Sequence, residues 1–159
     1  MPFTVDEFFA VFADYNAAIW PLQIVAYLAG LMILVLVLRP SKSSDTMILS
    51  ALAAMWAVNG IGYHLLHFAP INPAARLFAG LFVLQAALLA AALYLWRDRV
   101  VFDPGRSLMT TPGLLLMLFA LAGYPALGYW AGHTYPAVPM FGVAPFTKTI
   151  LNIVVLILV

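Results

Sequence analysis

The stretch from Thr46 to Trp96, TMILSALAAMWAVNGIGYHLLHFAPINPAARLFAGLFVLQAALLAAALYLW, carries one charged residue, Arg76, in 51 positions. A charge near the centre of a bilayer costs a few kcal/mol or more, and a helix needs about 20 residues to cross the hydrocarbon. The 30 uncharged residues before Arg76 and the 20 after it, up to Arg97, therefore each hold one spanning helix. Pro70 and Pro73 close the first and open the second, which predicts helices over 46–68 and 74–96 joined by a tight turn through Ala69–Asn72.

The same reading extends outward. The 24 uncharged residues between Asp14 and Arg39 predict a span over 20–38, with Pro21 in its first turn, where a missing N–H is harmless, and Arg39-Pro40 as its stop. Of the 41 uncharged residues between Arg106 and Lys148, the first part predicts a span over 111–130. Pro125 acts there as a hinge, because it removes a backbone donor and crowds the preceding turn. Residues 132–147, with Pro136, Pro139 and Pro145, predict a Pro- and Gly-rich outer loop or re-entrant stretch. Residues 146–159 predict a partial fifth helix, about 21 Å long at the helical rise against a core of about 30 Å, so either truncated or packed as a partial span. At the other end Thr4-Val5-Asp6-Glu7 is a capping box. It opens a helix over 4–17 that sets Phe8, Phe9, Val11, Phe12 and Tyr15 against Asp6, Glu7 and Asp14, suited to the membrane interface. With neither a basic leader nor an A-x-A site, this helix is not read as a cleavable signal.

The fold class that results is all-α: a single polytopic transmembrane bundle over 1–159, with four full spans, the partial fifth helix and the N-terminal interfacial helix. Composition agrees, since a chain 65% hydrophobic and 8% charged lacks the water-facing surface of a soluble domain. A net charge of +1 supplies no basic field, so nucleic acid is not an expected partner. The absence of Cys removes disulfides, thiol nucleophiles and thiolate-held metals. Lys and Arg concentrate after the first and third spans (Arg39, Lys42, Arg97, Arg99, Arg106), leaving Arg76 and Lys148 elsewhere. By the positive-inside rule those two loops are cytoplasmic and the N-terminus is extracytoplasmic. Trp20, Tyr63, Trp130 and Tyr135 then mark the outer belt and Tyr94 and Trp96 the inner one.

Polar side chains at membrane depth are few: Asn59, Tyr63, His64, His67, Gln85 and, near the C-terminus, Asn152. Asn59, Tyr63 and His67 recur every four residues and share one helical stripe, with Gly60 and Gly62 beside it to admit a neighbouring backbone. His64, His67 and His133 all fall at the outer end. One reading is an outward-facing polar site for a small solute, a proton or a metal; the other is interfacial histidines whose tips reach headgroups. His64 and His67 lie on one face of one helix and cannot clamp a haem between them. Asn59 and Gln85 are explained equally well by interhelical hydrogen bonds, and Asp98 by ion pairs with its neighbours Arg97 and Arg99. No phosphate loop, H-E-x-x-H, G-x-S-x-G or intramembrane carboxylate is present, so the chain is read as non-enzymatic, and no cofactor is expected. The expected partners are the lipid bilayer and a second copy or another membrane protein.

Met1-Pro2-Phe3-Thr4-Val5 with Glu7-Phe8-Phe9, then Tyr15-Asn16 and Trp20-Pro21, the segment His64 to Asn72 with Pro73-Ala74, and Tyr135-Pro136 through Phe141-Gly142-Val143-Ala144-Pro145 carry a resemblance. Over nearly the whole chain through Pro145 they resemble an uncharacterised bacterial multispan inner-membrane family, domain of unknown function 6064. The resemblance implies about six helices and a permease-like label without an established substrate. It also implies a Cys-Pro pair after Pro145, where Phe146-Thr147-Lys148 stands instead. Three functions remain in play: a transport-related protein for a small solute, a metal- or cofactor-binding protein using the outward histidines, and a structural or interaction subunit of a membrane complex.

Overall fold

The computed structural model describes residues 3–102 and 110–140. Within them the chain is helical and contains no strand. Helix α1 (Val5–Ala18) starts as its capping box dictates: the Thr4 N–H donates to Glu7 Oε2 at 2.6 Å and the Glu7 N–H to Thr4 Oγ1 at 3.2 Å. A short turn at Ile19–Pro21 leads into α2 (Leu22–Val37), and the chain bends by 88° between the two helices. Ser41 caps α3 (Lys42–Val58) by accepting from the Ser44 N–H at 3.0 Å. This helix begins four residues before the expected 46, because the lack of charge marks only the apolar part of a helix and its first turn carries Lys42 and Asp45.

From Asn59 to Phe68 the same helix continues for ten residues with π geometry, closing on the Ala69 N–H to His64 carbonyl bond of 2.9 Å. Two glycines in five residues, Gly60 and Gly62, loosen the α preference there. After the turn at Ala69–Ala74 comes α4 (Ala75–Leu95), then, beyond residue 102, α5 (Thr110–Leu118), a π turn at Phe119–Gly123 and α6 (Tyr124–Trp130). Pro125 sits at the start of α6, so the donor it lacks falls where the helix has just changed register.

Among the described residues three helices are long and apolar enough to cross a membrane: Lys42–Phe68, Ala75–Leu95 and Thr111–Trp130. The expected first span is the exception to four full spans. Helix α2 has only 16 residues, about 24 Å at the helical rise, and reaches spanning length only when α1 is added across the 88° bend. The expected helix over 146–159, and the part of the expected loop after residue 140, lie outside the described residues.

Two cores hold the helices together. Ile33 and Val37 of α2, Ile48 and Leu52 of α3, Phe102 and Met117 are almost wholly buried in one; Phe12 and Tyr15 of α1, Tyr63 and Phe68 of the π segment and Ala75 fill the other. The N-terminal helix is therefore not simply an interfacial helix resting on lipid. Its apolar face is covered by the π segment, with Phe12 stacked on Tyr63 at 5.2 Å. The π segment and α4 approach closely at Gly60. A Cβ on Gly60 would stand 3.1 Å from the Ala79 carbonyl oxygen and 3.0 Å from Phe82 Cβ.

At the opposite end, the segments after α2 and α4 meet. Lys42 Nζ donates to Asp98 Oδ1 at 2.7 Å, and buried Asp45 accepts the Phe102 N–H at 3.0 Å. Asp98 thus pairs across to Lys42, the other basic segment, and not simply with Arg97 and Arg99 beside it. Lys42, in the first turn of α3, reaches Asp98 with its five-atom side chain.

A candidate polar site under the N-terminal helix

The four sequence-nominated residues of the π segment are placed by its geometry. Four residues nearly complete one π turn, so Asn59, Tyr63 and His67 line up more closely than they would on an α-helix. Asn59 and Tyr63 are buried, His64 is 5% exposed and His67 is half-buried. Tyr15 of α1 covers this line: its ring lies edge-on to Tyr63 at 5.5 Å and to His67 at 5.1 Å, and it leaves room for no side chain at Gly62, where a Cβ would meet Tyr15 Cε2 at 3.2 Å. The Tyr15 and Tyr63 hydroxyls are both buried and make no hydrogen bond among the described residues. A hydroxyl in that state can donate to and accept from a small polar guest.

His67 Nδ1 lies 2.8 Å from the Gly62 carbonyl, five residues back. A carbonyl only accepts, so the proton is on Nδ1 and Nε2 is left as the acceptor in the neutral ring. The three histidines share one end of the molecule but take different neighbours. His64 points toward α4, 4.5 Å from Phe82 and 5.8 Å from Phe78; His67 faces Tyr15; His133 stacks on Phe9 at 4.3 Å. His64 is thus packed in protein. Among the described residues no three His, Asp or Glu side chains converge as metal ligands.

Beside this line, residues 131–140 fold over α1 and are fastened there by a residue the spacing argument passed over. Asn16, 1% exposed, donates through Nδ2 to the carbonyls of Pro136 and Val138, both at 2.7 Å. Gln23 in turn donates to the Asn16 carbonyl at 2.7 Å and locks the bend between α1 and α2. Gln23 carried the signal that singled out Gln85, a lone amide in an apolar span. Asn16 carried none, because a polar residue on an amphipathic helix reads as solvent-facing. Two adjoining clefts of about 320 and 410 Å³ flank this segment and share His133, Val138 and Pro139; Pro125 lines the second, with Tyr27 and Tyr129. Gln85 stands apart, half-buried on the outer face of α4 in a groove walled by Trp56 and Phe82, and makes no hydrogen bond among the described residues. The described residues supply no interhelical bond to its side chain.

No curated protein and no solved structure matches this chain. A family model does match, over residues 5–159, and so runs through the Phe146-Thr147-Lys148 departure to the last residue. Helical throughout its described residues, with three helices among them long and apolar enough to cross a membrane, the chain belongs to the family of unknown function DUF6064.

Proposed function

We propose that this chain is a multi-pass protein of the bacterial inner membrane that passes or takes up a small polar solute, in the manner of a permease. The N-terminus, the turn at 69–74 and residues 131–140 face outward in this reading, and the segments after α2 and α4 face the cytoplasm. The observation that carries it is the polar line Asn59, Tyr63 and His67 inside a ten-residue π segment, under a helix whose Tyr15 hydroxyl, like that of Tyr63, is buried and makes no hydrogen bond among the described residues. π segments recur at functional sites, and polar groups at membrane depth are retained where they serve a path. Outward histidines as metal ligands lose ground, since the three rings pack against Phe82, Tyr15 and Phe9.

The test is stopped-flow light scattering of proteoliposomes challenged with glycerol, urea and a small sugar. At least one solute is expected to enter faster than into protein-free vesicles. Asn59→Leu, which keeps the branched shape and removes the amide, should slow it about tenfold, the equivalent of one hydrogen bond in the barrier. Entry no faster than in empty vesicles, or unchanged by Asn59→Leu and His67→Leu in folded protein, would remove the permease reading.

A further inference from the structure

The outer face of α4 has a pattern that lipid contact does not require. Phe78, Leu81, Gln85, Leu88, Ala92 and Leu95 follow spacings of three and four residues, a heptad seam with Leu at each second position and one amide at its centre. Phe78, Leu81, Leu88 and Leu95 are 43–62% exposed. This seam is separate from the face bearing Ala75, Ala79, Ala86 and Leu89, which is buried within the chain. It borders a groove of about 400 Å³ whose far wall is Trp56 of α3. Gln85 lies at the middle of the 21-residue helix and so at mid-membrane when α4 spans, where an amide without a hydrogen bond is costly.

We propose that this seam binds the same seam of a second copy, forming a parallel dimer with Gln85 hydrogen-bonded to the partner's Gln85. Symmetry selects that occupant. Two copies inserted in one orientation are related by an axis along the membrane normal, which brings identical residues to the same depth. A primary amide both donates and accepts, so it pairs with itself across such an axis, whereas a wholly apolar foreign helix would leave it unsatisfied. A single polar residue in an otherwise apolar seam is also the device that sets register in parallel helix pairs. The inference rests on α4 spanning the membrane and does not depend on the solute path.

The chain has no cysteine, so single substitutions report directly. In native membranes under mild oxidation, Leu81→Cys and Leu88→Cys should give a disulfide-linked dimer, while Ala87→Cys, at nearly the same depth but off the seam, should not. In detergent and lipid dilution series, Gln85→Leu should weaken dimerisation about fivefold, the equivalent of one interhelical bond, and Gln85→Asn should keep most of it. Cross-linking equal at positions 87 and 88, none at any position, or dimerisation unaffected by Gln85→Leu would overturn the proposal. So would a Leu88→Cys thiol shielded from maleimide in a monomer, which would put residues 146–159 or a foreign helix in the groove. Carbonate extraction of the wild-type protein separates these outcomes from failure of the membrane reading itself.

Discussion

At Gly60 the π segment packs close against α4, and Gly80 is its natural control. A methyl at Gly60 would press on backbone, 3.1 Å from the Ala79 oxygen, whereas one at Gly80 meets nothing within 4 Å. Gly60→Ala should therefore destabilise the folded protein by about 1–3 kcal/mol. Gly80→Ala should stabilise it by about 0.5–1 kcal/mol through helix propensity alone. Reversible unfolding in mixed micelles measures both, and equal effects would deny the close approach. Asn16→Ala leaves the Pro136 and Val138 carbonyls without their donor, at a loss of about 2 kcal/mol, and should speed proteolytic cutting within residues 131–140. At this scale the sequence was partly legible. Gly60 could be read as a close approach, because a glycine beside a polar stripe in an apolar helix has few other uses. The partner of Asn16 lies 120 residues away, beyond any local pattern.

Among the elements, those legible from charge spacing and proline were the helix pair Lys42–Phe68 and Ala75–Leu95 and the turn between them. The π segment was not, since a recurrence every four residues fits π and α geometry alike. Nor was the covering of α1: periodicity identifies an apolar face but not whether lipid or protein lies on it. The contact between the two basic segments was also hidden, and it has a pH consequence. The hydrogen bond from Lys42, reinforced by its charge, holds the Asp98 carboxyl below its ordinary range. A depressed carboxyl pKa contributes above the unfolded value of about 4 and is lost as pH falls through the lower folded value. Both groups are exposed, so this pair should add nothing measurable to stability between pH 7 and 5. Instead the Asp98 carboxyl resonance should titrate below the ordinary aspartate range by NMR, and return to it in Lys42→Met.

For the whole molecule, the arrangement of charge organises everything else. Both ends of α2 to α4 are tied by polar contacts, Lys42 with Asp98 and Asp45 with Phe102 at one end, Asn16 with residues 136 and 138 at the other, while the middle is mostly apolar side chains and glycine, with Asn59 and Gln85 as its exceptions. A bilayer wants this distribution, because polar pairing is available at its surfaces and unavailable in its core. The basic segments gather at the Asp98 end, and the polar site under α1 gathers at the other. These ends are expected to lie on opposite sides of a membrane, with the α1 end outward. The direct measurement is labelling of intact cells by a membrane-impermeant maleimide, using the exposed positions Ala74→Cys and Ser43→Cys in this cysteine-free chain. The expected result is labelling of Ala74→Cys from outside and of Ser43→Cys only after the cells are permeabilised. Labelling of both positions from the same side, or in the reverse order, would contradict it.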